Sequence, residues 1–284
     1  MKASSTHKTV LLLLSLFITF LVVLYNDNGN PSSNEVIPRG LSLKLRQPKK
    51  HAFELTNRVK KLLKSKENSE NESDNKSPMT LDEIFTFLTD FLHVLHSRCI
   101  NNKSATYQEI WKIYHDLAME TLYPWDKEYL QRMPQRRRDG TIFLGLASYR
   151  DENCLNTLKQ AYAKAKHPEK LYVGLVQQNC EEHCRTGVLT TLKMEETEPD
   201  EDCHAVYCAS PEGKVHCDAG RVRALHVNET ESLGPYAARY FGSKLWYGEE
   251  WFMQIDSHMT FAQDWDALSI QMLENAPSNK PVIR

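Results

Sequence analysis

The strongest constraint on the fold is the alternation of continuous apolar runs with helix-periodic segments in the second half of the chain. Three largely apolar runs, over residues 141–148, 170–178 and 250–255, are typical of buried strands, and residues 221–227 (RVRALHV) predict a further strand. Apolar residues at helical spacing follow over 155–165, and a proline at the first helical position opens another helix over 235–245. Strands that alternate with helices build a parallel sheet covered by helices. We therefore predict an α/β domain over residues 140–284, with an irregular stretch over 179–218.

Polar residues follow the first and the last of these predicted strands directly. Residues 148–151 read Ser-Tyr-Arg-Asp, and residues 256–258 read Asp-Ser-His. Ligands of open α/β sheets bind beyond the carboxyl ends of the strands, so these two loops are the candidate binding site. Neither Gly-x-Gly-x-x-Gly nor Gly-x-x-x-x-Gly-Lys follows the first strand, which argues against a dinucleotide site or a P-loop.

Asp256 and His258 form a candidate metal site. Residues two apart in an extended segment point the same way, so this carboxylate and this imidazole can chelate one divalent cation. An imidazole ligand favours Mn²⁺ over Mg²⁺ or Ca²⁺, and the open positions suit a metal that stabilises a departing diphosphate. In the alternative interpretation, Asp256 caps a turn and His258 is an ordinary hydrogen-bonded histidine. The spacing alone favours that alternative.

Longer motifs around these loops are similar to those of one enzyme family. The matching segments are "TIFLGLASYRDENCLNTL" (141–158), "LYVGLVQQN" (171–179), "LGPYAARYFGSKLWYGEEWFMQIDSHMTF" (233–261) and Trp265-Asp266. They resemble the N-acetylglucosaminyltransferases of GT-A type whose founding members modify hydroxyproline on a cytoplasmic protein. Asp-Ser-His also resembles the metal site of polypeptide N-acetylgalactosaminyltransferases, which leaves a different luminal glycosyltransferase as an alternative. The surrounding Gly-Pro-x-x-Ala-Arg and Gly-Glu-x-x-x-x-Gln-Ile-Asp-Ser-His-Met favour the first family.

The resemblance implies a GT-A-like sheet that binds a nucleotide sugar, with UDP-N-acetylglucosamine (UDP-GlcNAc) as donor and retention of configuration. It assigns residues to that donor, namely Ser148, Tyr149, Arg150 and Asp151 around the uridine and Arg239 against the diphosphate or ribose. Asp256 and His258 would hold the Mn²⁺. For Arg239, a salt bridge on the helix surface is the alternative.

No catalytic residue can be assigned. Asp264 and Asp266 are the carboxylates that follow the motif most closely, and Asp266 can be structural. Because the chain stops 26 residues after His258, at Arg284, we expect the acceptor-binding part of the domain to be missing. An inactive donor-binding or scaffolding relative, which shares every motif, is therefore the main rival to an active transferase.

The N-terminal region predicts a type II membrane protein. An uncharged apolar run over 9–25 follows a short basic tail over 1–8, which favours a signal anchor with the rest of the chain in the lumen. A cleaved signal peptide is the alternative. The polar composition of 26–79 predicts a flexible stem.

A helical segment is predicted over residues 80–139. Thr80 and Glu83 have the spacing of a capping box, and a second helix runs over 107–122 and ends before Pro124. Residues 80–122 are candidates for contacts in a homo-oligomer.

The sequons and the cysteine content both indicate the endoplasmic reticulum or Golgi membrane, with the main domain in the lumen. The glycosylation sequons begin at Asn71, Asn75, Asn102 and Asn228. Seven cysteines can oxidise in that compartment and leave one unpaired, and disulfides are favoured over a zinc site near His183 and His204. A net charge of −2 gives no indication of nucleic-acid binding. A disulfide-rich adhesion ectodomain would leave the strand that ends in Asp256 unexplained.

Overall fold

The computed structural model describes residues 77–100, 106–188, 193–278 and 280–282. The chain divides into a helical unit, whose described residues are Ser77 and those within 86–131, and an α/β unit built from Pro78–Phe85 and the residues after Gln131. The predicted anchor over 9–25 and the sequons at Asn71, Asn75 and Asn102 lie outside the described residues. No helix within the described residues is long and apolar enough to cross a membrane.

The first helix, α1 (Leu81–Ile100), begins at the predicted capping box. The Thr80 N–H donates to Glu83 Oε2 at 2.7 Å, and the Glu83 N–H donates to Thr80 Oγ1 at 3.2 Å. Met79 was predicted to be the last residue of the flexible stem. It is instead buried and donates its N–H to the Arg132 carbonyl.

The prediction that the second helix ends before Pro124 is wrong. Helix α2 (Tyr107–Leu117) passes through a π-helical turn (Ala118–Leu122) directly into α3 (Tyr123–Gln131), which contains Pro124. Proline has no N–H, and its ring clashes with the carbonyl four residues earlier in a regular α-helix. The wider π turn lies just before this position, where the regular hydrogen-bond spacing would fail.

A four-stranded parallel sheet is the frame of the α/β unit, as the sequence predicts. Its strands are β1 (Ile142–Tyr149), β2 (Leu171–Asn179), β5 (Val222–Asn228) and β6 (Trp251–Asp256), each within one residue of the predicted run at either end. The remaining described strands, β3 (Arg185–Val188) and β4 (Lys193–Glu196), form an antiparallel hairpin.

Helices connect these strands and cover both faces of the sheet. They are α4 (Cys154–Ala163), α5 (Cys203–Ala209), α6 (Pro211–Asp218), α7 (Pro235–Ser243) and α8 (Trp265–Asn275), with short 3₁₀ turns at Pro168–Lys170 and Glu229–Glu231. A core cluster packs β1 and β2 against α4, α5 and α8 through residues that include Leu144, Leu175, Leu158, Tyr207 and Trp265. Helix α7 contacts β1 and β2, and its Ala238 and Phe241 are buried. Burial on both faces explains why β1 and β2 read as continuous apolar runs.

The strand order reverses between β1 and β6. The order across the sheet is β5-β2-β1-β6, so the chain first moves from β1 to β2 and β5, and then returns to place β6 on the other side of β1. In open parallel sheets, a reversal of this kind leaves a crevice outside the carboxyl ends of the two strands concerned. The residues that follow Tyr149 and Asp256 therefore lie at the mouth of that crevice.

The stretch over 179–218 is not irregular, which corrects the prediction. It contains the β3–β4 hairpin and the helices α5 and α6. The two helices are seven and eight residues long, too short to show several apolar repeats, although Asp202 and Ser210 cap their N-termini.

Two disulfides lie within this stretch, and a third joins it to helix α4. They join Cys154 to Cys203, Cys180 to Cys184 and Cys208 to Cys217. The structure describes all seven cysteines, and Cys99 is the one left unpaired. The preference for disulfides over zinc binding by these cysteines is confirmed.

Candidate active site

Helix α4 holds the Asp-Ser-His turn that follows β6 through hydrogen bonds to the backbone of the turn. Thr157, which is fully buried, donates its hydroxyl to the Ser257 carbonyl at 2.7 Å and accepts the Met259 N–H at 3.1 Å. Ser257 is itself buried, while Asp256 and His258 on either side of it are exposed. The turn therefore presents the carboxylate and the imidazole to solvent from a fixed backbone.

Asp151 contacts this turn from the end of β1. Its Oδ2 accepts a hydrogen bond from His258 Nδ1 at 2.9 Å and another from Ser257 Oγ, while Oδ1 accepts the Asn153 N–H at 2.9 Å. Burial alone would raise the pKa of Asp151, but these hydrogen bonds together lower it. With Nδ1 of His258 held by a carboxylate, Nε2 is the ring nitrogen that can bind a cation.

Arg239 lies against Asp256. Its Nη2 donates to Oδ1 of Asp256, which joins helix α7 to the last residue of β6. The Asp256 side chain stays half exposed. This salt bridge joins the helix to the strand rather than two residues on the helix surface, and it places the Arg239 guanidinium at the mouth of the crevice.

The charges of this site favour a positive charge on the His258 ring. The hydrogen bond to Asp151, the charge of Asp151 and the charge of Asp256 raise the pKa of His258. A metal ion bound at the ring would benefit from the same two carboxylates. One imidazole nitrogen and carboxylate oxygen suit Mn²⁺, and the exposure of both side chains leaves room for phosphate oxygens and water, so these residues fit the cation that the sequence implies.

Two residues predicted to contact the uridine have other surroundings. Ser148 is buried, and its Oγ has no hydrogen-bond partner. Arg150 has a left-handed backbone (φ 48°), and its guanidinium donates to Asp200 at 2.9 Å and to the Arg185 carbonyl at 2.7 Å. Tyr149 is half exposed at the end of β1. The structure therefore brings Asp151, Arg239, Asp256 and His258 together and does not add Ser148 or Arg150 to them.

Sequence reasoning missed the polar residues that hold the site in place. Thr157 is one, and Gln178 is another: its Nε2 donates to the Ser148 carbonyl at 3.2 Å and its Oε1 accepts from Ser232 Oγ at 2.7 Å. Thr157 lies on the buried face of α4, and Gln178 is buried at the end of β2. A polar residue at such a position needs a hydrogen-bond partner inside the protein, and this was the available signal.

Asp266 has a structural role. It is buried and accepts the N–H groups of Lys166 at 2.7 Å and His167 at 2.8 Å, within the connection from α4 to β2. Asp264 has a left-handed backbone just before α8, and its carboxylate accepts from Gln263 Nε2 at 3.1 Å.

A comparison with protein families identifies the α/β unit. A model of the family described as Glycosyltransferase (GlcNAc) matches residues 141–284, which is just over half of the chain and includes all the candidate site residues. No curated protein and no solved structure matches this chain. The matched segment covers β1 to α8, and therefore the strand reversal and the whole Asp-Ser-His turn. The chain belongs to the GlcNAc glycosyltransferase family.

Proposed function

We propose that this chain is a UDP-GlcNAc-dependent N-acetylglucosaminyltransferase that acts on a protein or glycan acceptor with the help of Mn²⁺. One observation carries the proposal. Asp151, Arg239, Asp256 and His258 converge at the carboxyl ends of β1 and β6, where the strand order reverses and where sheets of this kind bind nucleotides.

The side chains of the site have distinct roles in this proposal. Asp256 and His258 would hold the cation, whose chemistry when bound is to stabilise negative charge on the departing UDP. Asp151 fixes the ring orientation and the tautomer of His258 through the bond to Nδ1. Thr157 holds the backbone of the turn.

Arg239 would supply a further positive charge to the diphosphate. Its guanidinium lies on Asp256, next to the proposed cation, and a planar guanidinium can donate two parallel hydrogen bonds to phosphate oxygens. In exchanging part of its contact with Asp256 for the phosphates, it would also leave that carboxylate free for the metal.

A relative that binds the donor without turnover is the second candidate function. The observation in its favour is that Asp266, one of the two carboxylates closest after the motif, is buried and committed to two backbone N–H groups. Binding of UDP does not separate the two candidates. Turnover of the sugar nucleotide does.

The cellular setting is also a proposal. We propose a type II membrane protein of the Golgi or endoplasmic reticulum, anchored through residues 9–25, with the α/β unit in the lumen and self-association through residues 80–122. The three disulfides support an oxidising compartment. The sequon residue Asn228 lies at the end of β5 and is partly exposed.

Turnover tests the proposed activity. With the full chain and Mn²⁺ but without an acceptor, UDP is released when the sugar is transferred to water, and we expect this release to be faster from UDP-GlcNAc than from UDP-N-acetylgalactosamine or UDP-glucose. Arg239→Ala should lower kcat/KM by about 10- to 100-fold, the usual cost of losing a hydrogen bond to a charged group, and Arg239→Lys should lose less. UDP binding without release from any donor would favour the second candidate, and a preference for UDP-N-acetylgalactosamine would contradict the proposed donor.

A further inference from the structure

A second group of metal-binding side chains lies on the other half of the sheet. Asp202 caps helix α5, His204 lies in its first turn, and His226 lies on β5. Their ligand atoms all lie within 4.8 Å of one another, and Asp202 Oδ2 is 3.9 Å from His226 Nδ1. Neither the proposed donor site nor the disulfides make use of these three side chains.

The backbone around this group is fixed by one buried amide. Gln177, which is almost fully buried on β2, donates its Nε2 to Asp202 Oδ1 at 2.9 Å and accepts the His204 N–H at its Oε1, at 3.2 Å. Gln177 is also the residue paired with His226 in the β2–β5 register. A single glutamine therefore positions the helix start that carries two of the side chains beside the strand residue that carries the third.

A disulfide fixes the same helix start covalently. Cys203, between Asp202 and His204, is bonded to Cys154 at the start of α4. A metal site works best when its ligands project from rigid elements that other contacts already hold in place. The group satisfies this condition through the amide, the disulfide and the strand.

We propose that Asp202, His204 and His226 form a second divalent metal site, of the class that takes Zn²⁺. Two imidazoles and one carboxylate are a typical zinc donor set, and they differ from the single imidazole of the Asp-Ser-His turn. Zinc-bound N and O atoms lie about 2.0–2.2 Å from the metal, which places the ligand atoms about 3.3 Å apart.

The ligand atoms must approach one another by no more than about 1.5 Å to reach this geometry, because they already lie within 4.8 Å of one another. The 3.9 Å between Asp202 Oδ2 and His226 Nδ1 must shorten by less than about 1 Å. Both side chains are more than a third exposed, so a metal ion can enter from solvent and retain water at a fourth position. Bound metal would link β5 to α5.

A rival donor set shares His204. The ligand atoms of His204, Cys208 and Cys217 also lie within 4.8 Å of one another. Cys208 and Cys217 are joined by a disulfide, however, and zinc binds cysteine as the thiolate. The oxidised chain therefore offers the carboxylate set, and the sulfur set becomes possible only after reduction.

The test is a Zn²⁺ titration of the full chain. The protein is prepared with its disulfides intact, stripped with a chelator, and carries Asp256→Ala and His258→Ala so that the donor site does not contribute. We expect one Zn²⁺ to bind in competition with a chromogenic chelator. His226→Ala should weaken binding by more than about 100-fold, because even residues that only orient ligands contribute about 10- to 100-fold.

Two further variants make the result specific. Asp202→Asn keeps an oxygen for the helix cap and for Gln177 but removes the charge, and it should also weaken Zn²⁺ binding. His167→Ala removes an exposed histidine outside the group and should leave it unchanged. Affinity that is unaffected in both His226→Ala and Asp202→Asn would overturn the proposal. So would binding that requires reduction and disappears in Cys208→Ser.

Discussion

At the residue scale, Asp151 is the side chain that links the end of β1 to the Asp-Ser-His turn. The family resemblance implies that it contacts the uridine of the donor. The structure shows its Oδ2 bonded to His258 Nδ1 and to Ser257 Oγ, and Arg150 next to it bonded to Asp200. The motif alone could not show this, because Asp151 and His258 are 107 residues apart and meet only when β1 and β6 pair.

Replacing Asp151 by asparagine tests its role as the partner of His258. The amide keeps the shape of the side chain and loses the charge that favours a cation on the ring. We expect Mn²⁺ affinity, measured by titration calorimetry, to fall by about 10- to 100-fold, as for other residues that orient a metal ligand. The free energy of unfolding should change much less.

Asp218→Asn is the matched control for this variant. Asp218 is an exposed carboxylate paired with Lys214 on α6, and its loss should not change Mn²⁺ binding. Equal Mn²⁺ affinity in Asp151→Asn and in the wild type would mean that Asp151 does not support the metal site.

At the element scale, the loop between α7 and β6 is held by a buried ion pair. Glu249 is fully buried; its Oε1 accepts from Arg223 Nη2 at 2.8 Å and from Arg137 Nη2 at 3.2 Å, and its Oε2 accepts the Tyr247 N–H at 2.7 Å. Arg223 also donates to the Leu245 carbonyl at 2.7 Å. This network fixes the point from which β6 runs to Asp256.

Removing Glu249 should therefore destabilise the α/β unit strongly. Glu249→Ala leaves the Arg223 guanidinium buried without its carboxylate, and losses of this kind cost about 3–5 kcal/mol in the free energy of unfolding. Urea denaturation followed by fluorescence measures it. Glu169→Ala, which removes an exposed carboxylate, should stay within about 0.5 kcal/mol of the wild type. A similar small change for Glu249→Ala would contradict the role assigned to the network.

The elements were predicted to different extents, for physical reasons. β1 and β2 could be located to within one residue because burial on both faces of the sheet gives continuous apolar runs, whereas burial alternates along the edge strand β6. The helix through Pro124 was missed because a π turn compensates for the proline, and α5 and α6 were missed because they are short. The strand order, and therefore the crevice between β1 and β6, depends on contacts between distant residues that no local pattern contains.

At the scale of the whole molecule, the disulfides join segments that the sheet alone does not hold together. Cys154–Cys203 links residues 49 apart, whereas Cys208–Cys217 links residues nine apart. In the chain-entropy account, the longer loop contributes about 4 kcal/mol of stability and the shorter about 2.7 kcal/mol. The positions of the pairs could not be predicted, because pairing depends on which cysteines the fold brings together.

Paired Cys→Ser substitutions test this ranking. We expect Cys154→Ser with Cys203→Ser to lower the free energy of unfolding more than Cys208→Ser with Cys217→Ser, in urea titrations of the full chain under non-reducing conditions. A reducing agent should lower the stability of the wild type below that of either variant without it. The opposite ranking would show that the longer link does not stabilise the fold in this way.

The most direct test of the central claim is the binding of UDP to the full chain with and without Mn²⁺, for the wild type, Asp256→Ala and His258→Ala. We expect Mn²⁺ to strengthen UDP binding to the wild type by at least about tenfold, and each substitution to abolish that gain, because both side chains hold the cation. His167→Ala should behave like the wild type. Folded protein that binds UDP equally with and without Mn²⁺, or variants that keep the full Mn²⁺ effect, would contradict a metal-assisted donor site at the Asp-Ser-His turn.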